Sequence, residues 1–223
     1  TIVKRRFVDN IDRKKILGVY SINDSLLNPD DEQSFLDSVE VKSKEYDLVI
    51  VSDYGHGIIT SKIATYLSEL DNFVSLNTQV NAANIGTHNI KKYRNINSLI
   101  INATELLYEM RKRDGDIGKM AIELKSAINS DFITVTQGKD GALIYNKQNI
   151  LSKSPGFASK VVDKVGSGDA LHALLSICLA TGVDEELSLF IASVGAAQSV
   201  ESIGNSSPVS KISLLKTISH FMK

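Results

Sequence analysis

Short apolar runs alternate with stretches of helical period along most of this chain, and that rhythm restricts the fold more than any other feature. Leu48–Ser52, Phe73–Leu76, Ser98–Ile101 and Phe132–Thr136 are brief and apolar. Helical patterns lie between them: Asp30–Glu45, the shared face of Ile63, Leu67 and Leu70, Glu105–Arg113, and Ile117, Met120, Ala121, Leu124 and Ile128 at helical spacing. The last third reads as mostly helical, over Ala170–Ala180, Glu185–Val200 and Ser210–Met222. Short buried strands separated by helices imply a mainly parallel sheet with helices on both faces, an α/β fold. Ligands of such sheets bind at the carboxyl ends of the strands. Asp53, Asn102, Gly138 and Gly166 all fall there.

Residues 1–22 differ from the rest. Thr1–Val8 and Ile16–Ser21 are β-like pieces joined by the polar turn Asp9–Lys15, too small to hold a core of their own. One reading is a hairpin packed on the main sheet. The other is a separate small sheet.

The chemistry concentrates in Val161-Val162-Asp163-Lys164-Val165-Gly166-Ser167-Gly168-Asp169-Ala170-Leu171. The spacing predicts a strand, a tight glycine turn and an acidic residue opening a long helix. Two glycines around Ser167 leave backbone N–H groups bare and convergent, a nest for anions at a helix N-terminus. Asp169 in the same turn is placed to take a proton from an attacking hydroxyl. A phosphate cradle beside a base suits phosphoryl transfer. The pattern is neither GxxxxGK[ST] nor GxGxxG, because no Lys-Ser or Lys-Thr follows and Leu171 stands at the third glycine position. The competing reading is an ordinary strand-to-helix turn with Asp169 as a capping residue.

Three further motifs stand out. Asn102-Ala103-Thr104-Glu105 reads as a strand end followed by a favourable acid in a helix's first turn. Thr136-Gln137-Gly138-Lys139-Asp140-Gly141-Ala142 reads as a turn between two strands, Phe132–Thr136 and Ala142–Tyr145. Ala192-Ser193-Val194-Gly195-Ala196-Ala197, with Gly204 beyond it, suits close helix packing or the approach of a flat base.

Taken in order, these motifs resemble the PfkB/ribokinase family of sugar kinases, closest to its heptose-7-phosphate kinase branch. That family reads Asp-Thr-x-Gly-Ala-Gly-Asp where this chain has Lys164 for the Thr and Ser167 for the Ala. Ser52-Asp53-Tyr54-Gly55-His56-Gly57 resembles the branch's Asp-Tyr-Gly-Lys-Gly, and Thr1–Phe7 its lid strand. The resemblance implies a ribokinase-like three-layer α/β/α fold with a small β lid over residues 1–22 and a catalytic domain over 23–223. It implies Asp169 as base and Gly166, Ser167 and Gly168 as anion hole. ATP would lie against Asn102, Glu105, Thr136, Gly138, Gly141, Ser193, Ala196 and Gly204, with Glu105 holding Mg²⁺ through water. Asp53 and Lys4 are the candidate substrate residues, and Asp163 is a candidate for a structural role or a monovalent cation (K⁺) site. A homodimer through the lid and a fused or partner nucleotidyltransferase are further implications.

Two departures qualify that picture. Val74-Ser75-Leu76-Asn77-Thr78-Gln79 stands where heptose kinases carry Asp-Pro-Lys, so a charge has gone from a strand end, and the following Asn81–Gly86 is small and polar. The family's Gly-Gly motif does not precede Thr1. The expectation is therefore a chain lacking an N-terminal portion, with a partner filling the gap or a compromised site.

Composition narrows the classes. The 223 residues are 43% hydrophobic and 23% charged with net charge −1, which gives no sign of nucleic-acid binding. Cys178 is alone and cannot form an intrachain disulfide; its apolar setting favours a buried structural thiol. Four scattered His and no CxxC pair suggest no zinc site. No segment reads as a membrane span or signal peptide, so the expected location is cytoplasmic. Three functions stay open: an ATP-dependent kinase of a sugar or sugar phosphate, a non-catalytic nucleotide- or sugar-sensing domain of a bifunctional sugar-nucleotide protein, and a kinase of a vitamin or nucleoside hydroxyl.

Overall fold

The computed structural model describes residues 2–9, 11, 15–23, 25–80, 84, 89–158, 160–201 and 207–221. Its strands form two sheets. β1 (Val3–Val8) and β2 (Lys15–Ser21) pair antiparallel as a two-stranded sheet. The main sheet holds six strands in chain order: β3 (Leu48–Asp53), β4 (Phe73–Thr78), β5 (Ser98–Asn102), β6 (Phe132–Thr136), β7 (Ala142–Tyr145) and β8 (Leu151–Ser154). β3 to β6 run parallel, and β7 and β8 turn back antiparallel.

Among the described residues seven α-helices complete the order: α1 (Pro29–Ser43), α2 (Ser61–Ser68), α3 (Ala103–Glu109), α4 (Ile117–Ile128), α5 (Ser167–Ala180), α6 (Glu185–Ser199) and α7 (Lys211–Phe221). Local sequence explains their starts. Asn28, Thr60, Asn102 and Asp116 each accept an N–H bond from the first turn of the helix they open, and Pro29 sits at the start of α1, where no donor is needed. Asn129 ends α4 in the left-handed region at φ 53°.

Alternation along β5 divides the core in two. Leu99 and Ile101 face α1 to α4 with Ile63, Leu67, Leu106, Met120 and Leu124, while Ile100 faces α5 and α6 with Leu171, Leu175, Leu179 and Leu189. A strand buried on both faces needs a continuous apolar run, which is why Ser98–Ile101 shows no alternation. The three-layer arrangement matches the expected fold.

Two elements depart from expectation. β8 is an edge strand whose Leu-Ser-Lys-Ser sequence carries no apolar pattern; its pairing with β7 creates it. Val161–Val162 is not a strand. It is exposed coil after Pro155-Gly156, and the amides of Val162 and Asp163 bond the Val200 carbonyl at the end of α6, at 2.8 and 3.2 Å. No neighbouring strand is available to pair with it among the described residues.

Polar groups are also buried under α5. His172, Ser75 and Ser176 are 1%, 0% and 0% exposed. His172 Nε2 lies 3.1 Å from Ser75 Oγ, and Ser176 Oγ lies 2.7 Å from Ser75 Oγ and 2.6 Å from the His172 carbonyl. Burial holds the imidazole down to a pKa of about 4, against 6.5 ordinarily.

Two predictions follow from packing. Gly141 lies at φ 87°, and a Cβ there would fall 2.0 Å from the Ser154 carbonyl oxygen. Gly141→Ala is expected to cost about 2–4 kcal/mol by denaturant unfolding; a change within about 0.5 kcal/mol would show that the β6–β7 turn is not so constrained. Neutral burial of His172 means that the unfolded chain binds the proton first. Stability is then full above about pH 6.5 and is lost as pH falls toward 4, by about 3 kcal/mol from this group. His172→Leu should flatten that part of the stability–pH curve relative to wild type; identical slopes would refute the assignment.

Candidate active site

The carboxyl ends of β3 to β6 converge on one edge of the main sheet, and α5 begins beside them. Gly166, at φ 87°, supplies the left-handed turn that ends the coil and starts α5. No side chain caps this helix start. Its first amides therefore remain open, and the helix dipole adds partial positive charge there. A Cβ on Gly168 would meet nothing within 4 Å, so the space over the turn is open to a ligand. Ser167 turns its hydroxyl to the Lys164 carbonyl, 3.1 Å away. Asp169 is exposed in the first turn, and partial burial of its carboxyl raises its pKa above 3.8. A base with a raised pKa accepts a proton more readily.

Beside this turn lies a cavity of about 490 Å³, within the ordinary range for a small-molecule site. Seven residues expected from sequence line it: Thr136, Gly138, Gly141, Ser167, Gly168, Ser193 and Ala196. Its apolar wall is Ala142, Leu171, Ala197 and Val200, with Lys139 and Lys164 at the charged side. Ser193 is 7% exposed, and its hydroxyl has no hydrogen-bond partner. A buried orphan hydroxyl facing a cavity is a handle for a polar ligand edge. A Cβ on Gly195 would fall 2.1 Å from Leu174 Cδ1, so Gly195 serves α5–α6 packing while Ser193, Ala196 and Ala197 face the cavity. Gly204 lies outside the described residues.

Asn102 and Glu105 do not line the cavity. They form a reciprocal cap: Glu105 N–H donates to Asn102 Oδ1 at 2.8 Å and Asn102 N–H to Glu105 Oε2 at 3.0 Å. Glu105 Oε1 also accepts the Val80 N–H at 3.3 Å, which ties the exit of β4 to α3. Burial raises the Glu105 pKa, and the backbone donors oppose that rise. Each oxygen accepts one backbone N–H and keeps a further lone pair, so the carboxylate fits as an acceptor for the water shell of a hard cation. Among the described residues no cluster of three or more His, Cys, Asp or Glu could hold a metal.

A second group surrounds the exit of β3. Asp53 is 3% exposed and accepts from Lys92 Nζ at 2.7 Å, Gly55 N–H at 2.8 Å and the Tyr93 hydroxyl at 2.8 Å. Burial pushes this carboxyl up, but the Lys92 bond and charge, then Gly55 and Tyr93, outweigh burial and hold it below 3.8. Lys92 also donates to the Ile59 carbonyl at 2.7 Å. Next along the chain, Tyr54 has its pKa raised, first by burial and then by the charge of Asp169. Its side chain bonds Gln79, and Lys4 Nζ lies 5.0 Å from its ring centroid. Asn84 donates to the carbonyls of Tyr54 and Gln79 at 3.0 and 2.9 Å, closing the exits of β3 and β4 together. Asn77 directs its amide to the Ile100 carbonyl at 2.9 Å. The rest of 81–86 lies outside the described residues.

Sequence reasoning did not single out Lys92, Tyr54, Lys139 or Leu171. Tyr54 was readable from its place beside Asp53, and Leu171 from its place one turn into α5. Nothing local marks Lys92, which reaches Asp53 only through the fold.

The sequence matches the model of the pfkB family carbohydrate kinases over residues 62–212, and the chain belongs to that family. It is 28% identical over 179 residues to the Bifunctional protein HldE of Rhodopseudomonas palustris strain BisB18, a match covering 79% of this chain and 36% of the relative. The chain thus spans about a third of that relative's length. Its fold is similar to ribokinase from Thermotoga maritima, with TM-score 0.74, 17% identity, and coverage of 98% of this chain and 70% of that one. It is also similar to Arabidopsis thaliana ribokinase complexed with ribose and ATP, with TM-score 0.66, 17% identity, and coverage of 90% and 64%. No helix among the described residues is long and apolar enough to cross a membrane.

Removing Lys92 would leave Asp53 a buried charge with two neutral donors. Lys92→Met is expected to lose about 3–5 kcal/mol in urea unfolding, and pairing it with Asp53→Asn should recover part of the loss. A single-variant loss under about 1 kcal/mol would mean that the pair is screened like a surface one.

Proposed function

We propose that this chain is the phosphoryl-transfer part of an ATP-dependent kinase acting on a hydroxyl of a sugar or sugar phosphate. One observation carries the reading: an uncapped helix start with an acid in its first turn opens beside a cavity bearing an orphan buried hydroxyl. The nucleotide base lies in the apolar part of that cavity, against Ala196 and Ala197, with the Ser193 hydroxyl on its polar edge. The phosphates extend toward Gly168, with Lys139 and Lys164 beside them.

In the transfer, an acceptor hydroxyl aligned with the γ-phosphorus loses its proton to Asp169. The new oxygen–phosphorus bond forms as the bond to the β,γ-bridging oxygen breaks, and ADP leaves. Backbone amides at the start of α5 stabilise charge on the transferring oxygens. Mg²⁺, when bound, neutralises phosphate charge, and Glu105 with Asn102 would hold its water shell. Tyr54, Lys4 and Gln79 form the acceptor side, with Asp53 fixing the loop that carries Tyr54. Asp163 is the candidate neighbour of a monovalent cation.

The hairpin of β1 and β2 would serve as a lid. It exposes Val3, Phe7, Val8, Leu17, Val19 and Tyr20, an apolar set that supports a homodimer through this sheet. The bifunctional relative supports a fused or partnered second activity, which the sequence resemblance identifies as a nucleotidyltransferase. A cytoplasmic location fits these partners.

Asp169→Asn is expected to lower kcat by about 10²–10⁴-fold while ATP binding by calorimetry is retained. The wild-type acid limb of kcat/KM should lie above pH 3.8, following the raised carboxyl. The measurement is ATP consumption by the full chain over a panel of sugars and sugar phosphates. Turnover by the Asn variant near the wild-type rate would remove Asp169 from the role of base.

A further inference from the structure

α5 carries three polar residues on one face. Asp169, His172 and Ser176 follow the i, i+3, i+7 spacing that aligns side chains along a helix. Asp169 is exposed at the cleft, whereas His172 and Ser176 are buried against β4. The rest of that interface is apolar: Leu171, Leu175 and Leu179 pack with Ile100 and Ile144. Apolar contact is non-directional and sets neither the roll of a helix nor its position along its axis to a fraction of an ångström. Hydrogen bonds do. The uncapped start of α5 provides no such restraint.

Proton counting orders the buried bonds. The His172 carbonyl can only accept, so the Ser176 hydroxyl, 2.6 Å away, donates its one proton there. Ser75 and Ser176 lie 2.7 Å apart, so Ser75 donates to Ser176. His172 Nε2 then carries the proton that Ser75 Oγ accepts across 3.1 Å. Every proton in the chain is placed with a neutral imidazole. The network joins the base-bearing helix to β4, the strand whose exit holds Glu105 through Val80 and Tyr54 through Gln79.

We propose that His172, with Ser75 and Ser176, is a positioning residue for phosphoryl transfer, fixing the roll of α5 so that Asp169 meets the acceptor hydroxyl. This rests on the kinase reading above. It acts through α5 and touches no substrate. Its removal affects the step that needs sub-ångström alignment, since a displacement of about 1 Å costs about 10²-fold in rate. Most of the nucleotide cavity's wall lies outside α5, on α6, the β6–β7 turn and the coil that includes Pro155 and Lys164, and is left in place.

The test uses the full chain with Ser75→Ala, His172→Leu and His172→Gln. Ser75→Ala is the mild variant that keeps the experiment decisive where His172→Leu folds poorly. Two readouts are taken on folded protein. In steady-state kinetics, Ser75→Ala and His172→Leu are expected to lower kcat by about 10–100-fold with KM for ATP changed less than about 3-fold, and His172→Gln, which keeps a side-chain N–H, is expected to recover most of the loss. In hydrogen exchange, the Ala170 amide, bonded to the Gly166 carbonyl at 2.9 Å, should exchange faster in Ser75→Ala and return toward wild type in His172→Gln. A kcat within about 3-fold of wild type for Ser75→Ala, or no rescue by Gln, overturns the proposal. Absence of wild-type turnover on every sugar would fail the kinase reading instead. The exchange measurement then decides alone: faster Ala170 exchange supports the positioning link, and unchanged exchange overturns it.

Discussion

Parallel alignment of β3 to β6 is the constraint on which the rest depends. In that arrangement every strand delivers its last residue to the same edge, so Asp53, Thr78, Asn102 and Thr136 arrive side by side although far apart in sequence. Each exit then needs its loose backbone secured. Asp53 draws in Gly55, Tyr93 and Lys92, Glu105 takes the amides of Asn102 and Val80, and Asn84 binds the Tyr54 and Gln79 carbonyls. Much of the polar chemistry at this edge is therefore structural, and it leaves Asp169 as the acid exposed beside an uncapped helix start.

That division of labour explains why the acids behave differently. Asp53 is buried among donors that outweigh burial, so it stays ionised. Glu105 is buried with backbone donors too weak to do so and is pushed upward. Asp169 has only desolvation acting on it. A carboxylate in a fixed ion pair is a poor proton acceptor, whereas one raised by desolvation alone is available for exchange.

Much of this was legible in the sequence, and for identifiable reasons. The run Ser98–Ile101 is apolar because both its faces are covered, whereas Leu48–Ser52 lies on an edge strand that leaves Ile50 and Ser52 exposed; length made both of them strands. Gly166 and Gly141 mark real backbone requirements. The seven cavity residues came together because motif order along a parallel sheet becomes spatial order along one edge. What escaped reading depended on partners distant in sequence. β8 exists only because β7 presents an open edge. Val161–Val162 has strand composition but finds an α6 carbonyl instead of a strand. Lys92 and the Ser75–His172 pair look like ordinary surface and core residues until the fold brings them across 39 and 97 positions.

The contact at Gly195 has a mechanical consequence. With no side chain there, α6 lies so close to Leu174 of α5 that a Cβ at position 195 would fall 2.1 Å from Leu174 Cδ1. α6 carries the wall of the cavity and α5 carries the acid. A side chain at position 195 would therefore press the two helices apart and move the cavity wall relative to the acid.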